Sequence, residues 1–300
     1  MIIYHSRTLI HQFLSYQMLE YRYDFTLDSH EKMKRIGKGI QGEEQAERWL
    51  TEFFADCDCF YVNDLRLNVD YEQVQIDSAI VFHNSVIVLE VKNYSMDIRC
   101  QNGQFYSIAG EPLTGLNNQL SKLARLITKA LQSYDMHIEV KVMPFFVDVN
   151  QSVHGVLVDG PVLTPVNFRH VLRKFVDKKP GNQAIADYLI SLNQENDFNR
   201  KFEIDYSHVA KGIYCPKCHL KIIKKSQRNY YCETCDKHFS TQCIVNHQID
   251  VFRHLFSDRQ LTTRVLHEWV AGEISHRTLQ RILAEHYVYE KESRSYSKRE

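Results

Sequence analysis

No uninterrupted apolar run in this sequence approaches the roughly 18 residues that a membrane-spanning helix needs. The longest, such as Ser85-Val86-Ile87-Val88-Leu89, has the length of a buried strand. A membrane-embedded chain is excluded, and no membrane partner is expected. The opening Met1-Ile2-Ile3-Tyr4-His5-Ser6-Arg7 has no basic leader and no small-residue cleavage site, so the expected location is cytoplasmic. Glycine is scarce, at 11 residues in 300, about half the usual ~7%, which favours regular elements over long loops. Net charge is lacking too, since 37 Lys and Arg balance 37 Asp and Glu. What is present is 44% apolar, 12% aromatic and 25% charged residues, a folded composition that excludes a disordered or collagen-like chain.

The zero net charge hides a gradient. Residues 1–206 carry 21 basic and 27 acidic side chains, residues 207–241 carry 7 and 2, and residues 259–300 carry 8 and 6. A phosphate-seeking surface is therefore expected in the C-terminal third alone. Cysteine is unevenly spread as well. Four of the eight fall as Cys215-x-x-Cys218 and Cys232-x-x-Cys235, a pairing that in a cytosolic chain points to metal before disulfides.

Apolar periodicity sets out the elements. Ile10, Phe13, Leu14 and Tyr21 predict an amphipathic lead-in helix over 8–23; a glycine turn over 37–42 precedes a helix bearing Ala46, Trp49, Leu50 and Phe53. Strands are predicted at 61–67, 74–82, 86–92, 139–149 and 153–158. Helices are predicted at 116–134, from the Thr164-Pro165 start to about 175, and at 182–192. Strands alternating with helices imply an α/β sheet covered by helices.

The pair Gln75-Ile76-Asp77 and Glu90-Val91-Lys92 carries the chemistry. A two-residue turn at His83-Asn84 sets Phe82 against Ser85, and the count back sets Asp77 across from Glu90. Asp77, Glu90 and Lys92 then share one face, opposite Ile76, Ile80, Phe82, Ile87, Leu89 and Val91. Carboxylates near an apolar core need a partner. Either Mg²⁺ (or Mn²⁺) is held by Asp77 and Glu90 with Lys92 beside the attacking water, or Lys92 forms a salt bridge at the sheet edge. Glu43 sits at the edge of the apolar stripe that turns toward the sheet, and reads either as a site residue or as a charge at a helix N-terminus.

Gly39-x-x-Gly42-Glu43, Asn63-Asp64, Gln75-Ile76-Asp77 and Glu90-Val91-Lys92-Asn93-Tyr94 together resemble the nuclease-related domain (NERD), a branch of the PD-(D/E)XK nuclease superfamily. The resemblance covers about residues 35–165 and implies an αβββαβ core. It implies that Asp77 and Glu90 bind Mg²⁺, that Lys92 assists water, that Glu43 completes or supports the site, and that Gln119 is the glutamine of a later helix. Two positions depart from the family's pattern: Ser78 stands where histidine is usual, and Met96 where glycine is usual.

Cys215, Cys218, Cys232 and Cys235, with 13 residues between the pairs, match the two knuckles of a zinc ribbon holding structural Zn²⁺. His219 and His238 are surplus to a four-thiolate site. Lys217, Lys221, Lys224, Lys225 and Arg228 either meet phosphate or form a solvated face. Thr262 or Thr263 caps a helix to Trp269, Ala271-Gly272-Glu273 turns, and Ser275 caps a second helix from His276 to Tyr287. This resembles a helix-turn-helix offering Arg277, Gln280 and Arg281 to a groove, or else a plain helical hairpin. The tail 291–300 is expected to fray.

The expected fold is thus α/β, a PD-(D/E)XK nuclease-like mixed sheet flanked by helices, with a small zinc ribbon and an α-helical C-terminal module. The expected divisions are a lead-in (1–35), a nuclease-like domain (36–194), a linker (195–212), the zinc ribbon (213–241) and a helix-turn-helix-like module (242–300). The expected function is Mg²⁺-dependent hydrolysis or nicking of DNA, with DNA preferred over RNA as partner. The alternative is a non-catalytic nucleic-acid-binding regulator or assembly protein. Oligomeric state is not legible in the sequence.

Overall fold

The computed structural model describes residues 2–5, 11–176, 179–194, 204–226 and 228–298. Residues 195–203 of the expected linker, and Ile10 of the expected lead-in stripe, lie outside them. In chain order the elements are β1 (Ile2–His5), α1 (His11–Leu19), α2 (Leu27–Phe53), β2 (Phe60–Val69), β3 (Glu72–Val81), β4 (Ser85–Lys92), β5 (Ile98–Gln101), β6 (Gln104–Ser107), α3 (Thr114–Tyr134), β7 (Glu139–Phe146), β8 (Val153–His154), α4 (Phe168–Arg173) and α5 (Gln183–Ser191). There follow β9 (Ile223–Lys224), β10 (Asn229–Cys232), β11 (Lys237–Ser240), α6 (Thr241–Leu255), α7 (Thr263–Trp269), α8 (His276–His286), β12 (Tyr287–Glu290) and β13 (Ser295–Lys298). Two compact units result, one of Met1–Thr8 with Lys34–Asp197, the other of Leu9–Met33 with Phe198–Glu300.

The first unit is a mixed five-stranded sheet in the order β1-β2-β3-β4-β7, parallel at β1/β2 and β4/β7 and antiparallel between. Helices cover both faces. On one, Ala46, Leu50 and Phe54 of the α2 segment and Phe168, Val171 and Leu172 of α4 pack on Tyr61, Ile80, Ile87, Leu89 and Phe145. On the other, Leu123, Ile127 and Leu131 of α3 and Ile185 and Leu189 of α5 pack on Val62, Val81, Val86 and Val88. Each Leu or Ile so buried contributes about 2 kcal/mol. Strands β3 and β4 are apolar toward both layers, which is why they read as near-continuous hydrophobic runs.

The structure corrects several of these expectations. The glycines of 37–42 do not turn: α2 runs through them from Leu27. A Cβ on Gly42 would lie 2.6 Å from Asn93 Cβ, so glycine serves close packing there. Glu43 is consequently mid-helix, and the helix-N-terminus reading of it falls. The strand expected at 153–158 stops at His154, because Gly155 takes φ +78 with its Cβ position 2.3 Å from the Cys100 carbonyl. The helix expected from Thr164 starts at Phe168, since the Asn167 carboxamide ties back to the Thr164 N–H at 2.8 Å and the Val162 carbonyl at 3.0 Å. In the lead-in, α1 buries Ser15, Tyr16 and Leu19, whereas Tyr21 lies beyond the helix and is exposed.

In the second unit one core joins Leu19, Tyr206, Ile213, Cys215, Ile222, Tyr230, Cys232, Ile244, Val245, Phe252, Trp269, Leu279 and Leu283. The expected division at 241/242 therefore falls inside a shared core, at the point where Ser240 caps α6 by accepting from the Cys243 N–H at 3.2 Å. Arg22 is buried between the Tyr214 and Trp269 rings, 3.8 and 4.4 Å from their centroids, and donates to Gln248. The described part of the tail, 291–298, does not fray: β13 pairs with β12 as a hairpin.

Candidate metal-dependent hydrolytic site

The β3–β4 hairpin has the register that the sequence implies. The Phe82 N–H donates to the Ser85 carbonyl at 2.9 Å, and the pairs run from Val81↔Val86 to Ser78↔Leu89, which leaves Asp77 next across from Glu90. One detail differs. Ile76 packs with Ala79, Val81 and Val88, not with Ile80. The β2–β3 ladder skips the Asp64/Asp77 pair, where Asp64 takes φ 51, and the alternation is interrupted at the site itself. Freed from the ladder, the Asp77 side chain accepts from the Val91 N–H at 2.8 Å.

Asp77, Glu90, Lys92, Glu43 and Gln119 line one cleft of about 660 Å³. Glu90 is 1% exposed. Its Oε1 accepts from Lys92 Nζ at 2.5 Å and from Gln119 Nε2 at 2.6 Å, while its Oε2, also buried, has no hydrogen-bond donor. Burial first, and the Asp77 carboxylate second, push the Glu90 carboxyl up to about 7, against the opposing pull of Lys92. Burial works against the Lys92 cation, but the charge and hydrogen bond of Glu90, helped by Asp77 and Tyr94, outweigh it and raise the Lys92 pKa. The salt-bridge reading and the metal reading are therefore compatible: Lys92 occupies one oxygen of Glu90 and leaves the other.

That orphaned oxygen is the test of fit for a divalent ion. A buried carboxylate oxygen without a donor costs about 1–3 kcal/mol or more, and a hard cation shared with Asp77 would satisfy it. The donor set fits Mg²⁺ with Asp77 and Glu90 as ligands. Glu43 lines the same cleft, but among the described residues no third His, Cys, Asp or Glu joins the pair with ligand atoms all within 4.8 Å.

Sequence reasoning missed Arg35 and Lys38, which line the cleft from α2 with Gly39 and Glu43. Their spacing at i, i+3, i+4 and i+8 is a helical face, a signal hidden by reading 37–42 as a turn. Lys38 donates to the Ser95 hydroxyl, and its carbonyl accepts from Asn93 Nδ2 at 2.8 Å. Together with the Gly42 contact, these bonds fix α2 against the end of β4.

In the second unit the four cysteines do converge. Sulfur–sulfur distances are 3.5 Å for Cys215–Cys235, 3.4 Å for Cys218–Cys232 and 3.8 Å for Cys218–Cys235. These approach the edge of about 3.8 Å of a tetrahedron with ~2.3 Å metal–sulfur bonds, and exceed the ~2.05 Å of a disulfide. Each knuckle is followed by a left-handed residue, His219 (φ 57) and Asp236 (φ 48). Neither His219 nor His238 joins the group.

Two of the basic residues of this segment have partners within the second unit. Lys224 donates to the Glu273 carbonyl at 2.9 Å, Lys225 sits 5.1 Å over the Tyr231 ring, and Lys217, Lys221 and Arg228 are exposed. On α8, Arg277, Gln280 and Arg281 are all exposed, and Arg281 pairs with Glu285 at 2.8 Å.

Residues 38–158, which contain every cleft residue above except Arg35, match the family model described as NERD, the nuclease-related domain. No curated protein and no solved structure matches the chain.

Proposed function

Because the chain carries a nuclease-related domain at residues 38–158, we propose that it is a Mg²⁺-dependent nuclease that hydrolyses or nicks DNA at the Asp77–Glu90–Lys92 cleft. The observation that carries this reading is the buried, donorless Glu90 Oε2 set beside Asp77 and Lys92 in an open cleft. When bound, Mg²⁺ or Mn²⁺ would acidify a coordinated water and neutralise charge on the phosphate. Asp77 and Glu90 supply its oxygens. Lys92, held as an ammonium, positions the attacking water or steadies charge on the phosphate. Gln119 orients Glu90 by donating to the oxygen away from the ion. Glu43 supports the site from α2. The four thiolates of the second unit hold structural Zn²⁺, with no coordination position left for chemistry.

The chain works on nucleic acid in the cytoplasm in this reading. That none of the eight cysteines is in a disulfide supports a reducing compartment, and no described helix is long and apolar enough to cross a membrane. A second reading, a binder that keeps the fold without turnover, is favoured by the absence, among the described residues, of a third carboxylate close to the pair.

The test is supercoiled plasmid incubated with the full chain. Nicking that requires added Mg²⁺ and disappears in Asp77→Ala is the expected outcome. Cutting that survives in Asp77→Ala overturns the assignment, and retarded plasmid without cutting supports the second reading.

A further inference from the structure

The β12–β13 hairpin, which takes the place of a frayed tail, changes what the C-terminal helices can do. It leaves α8 without an intervening residue, and the Tyr296 N–H donates to the Leu261 carbonyl at 2.8 Å, which ties β13 to the residue just before the α7 cap. A recess of about 460 Å³ lies between, lined by Thr262, Thr263 and Arg264, by Gln280 of α8, and by Tyr289, Arg294 and Tyr296. Every lining residue carries a hydrogen-bond donor, two are guanidinium groups, and none is a carboxylate.

Two acids of the flanking elements have partners of their own. Glu285 takes Arg281 and Gln242, and Glu290 accepts from the Ser293 hydroxyl at 3.1 Å, on the strand face opposite Tyr289. Among the described residues neither Arg264 nor Arg294 is in a salt bridge. Tyr289 and Tyr296 face each other across the hairpin, their ring centroids 5.1 Å apart, and give the recess a stiff wall. Arg294 takes φ 52 in the hairpin turn.

We propose that this recess is a phosphate subsite for duplex DNA: Arg264, Arg294 and the surrounding hydroxyls hold one backbone phosphate while α8 enters the adjacent major groove with Arg277 and Gln280. The inference rests on nucleic acid being the partner, as in the nuclease reading. Charge selects a polyanion, and the exposed polar face of α8, with Arg277, Gln280 and Arg281, selects B-form DNA, because the major groove of A-form RNA is too deep and narrow to admit a helix. The hairpin thus acts as a wing beside a recognition helix, and phosphate contact sets the register in which α8 meets the bases.

The test uses the full chain in an Asp77→Ala background, without added Mg²⁺ so that nothing is cut. Affinity for a labelled 20-base-pair duplex is read by fluorescence anisotropy over a range of salt. Arg264→Gln and Arg294→Gln are each expected to weaken binding by ~3–10-fold for any sequence and to lower the salt slope by about 1; the double substitution lowers it by about 2. Arg294→Lys keeps the slope, and melting curves confirm that the variants fold.

Unchanged affinity and slope in the double variant, with the parent binding, overturns the subsite. Failure of the parent to bind duplex, while Mg²⁺-dependent cutting of single strands or RNA persists in the wild type, overturns it too and leaves the nuclease reading standing. Absence of both binding and cutting removes the nuclease reading itself.

Discussion

Glu90 has an ordinary carboxyl value of 4.5 that burial and Asp77 push up to about 7. For an acid raised in this way, the neutral form is favoured by the fold. The associated stability is complete below the ordinary value and is lost as pH rises through about 7. A cation on Glu90 Oε2 reverses the preference. Mg²⁺ affinity is therefore expected to fall about tenfold per pH unit below about 7, as the proton competes for the oxygen. Titration calorimetry in two buffers of different ionisation enthalpy should register proton release at pH 6 and little at pH 8.5; a pH-independent affinity contradicts the assignment of Glu90 as a ligand. The same logic makes the metal-free protein less stable at pH 8 than at pH 6, with Mg²⁺ raising the melting temperature more at the higher pH.

Helix α2 shows how two glycines in one element differ. A methyl group added at Gly39 would have no neighbour within 4 Å, whereas one added at Gly42 would meet Asn93 Cβ at 2.6 Å and Val147 Cγ2 at 3.2 Å. Gly39→Ala is expected to stabilise by up to ~1 kcal/mol, the helix-propensity difference. Gly42→Ala gains the same propensity but forces α2 away from β4, and should destabilise by ~1–2 kcal/mol net. Urea denaturation compares them; equal effects would mean that α2 is not in close contact with Asn93.

The β3–β4 hairpin was legible because a two-residue turn at His83-Asn84 sets Phe82 against Ser85 and so fixes the register of the pairs behind it. Helix α6 carries an equally plain signal, in Ser240 as cap and in Ile244, Val245, Gln248, Ile249 and Phe252 at helical spacing. It begins directly after β11, so a division drawn at the end of the zinc ribbon conceals it. The β5–β6 hairpin also carried its signal in Asn102-Gly103, whose φ values of 51 and 74 are those an Asn-Gly turn favours.

Across the whole chain, the cleft and the cysteine cluster fall in two units with separate cores. Cys215 and Cys232 are both buried in the core that α1, α6, α7 and α8 share. A metal held by the four sulfurs would therefore support that core directly, and its removal would leave thiols with sulfur pairs only 3.4–3.8 Å apart. A thiol-compatible chelator should strip amide protection from β10, α6 and α8 in hydrogen-exchange mass spectrometry while β3, β4 and α3 keep theirs. Uniform loss in both units, or none in either, would show that the thiolates do not carry a structural ion.

The sequence by itself determined which side chains meet locally, since Asp77, Glu90 and Lys92 lie on neighbouring strands and the paired CxxC knuckles close over short spans; local register and loop length decide such contacts. Tertiary structure alone decided what comes from afar. Gln119 reaches Glu90 across 29 residues of sequence, and Arg35 and Lys38 meet the cleft because α2 lies against the end of β4. The β13 strand meets the start of α7 across 35 residues, from Leu261 to Tyr296. Contacts of that kind depend on how packed layers align, and alignment follows from the sum of the cores, which no single stretch of sequence contains.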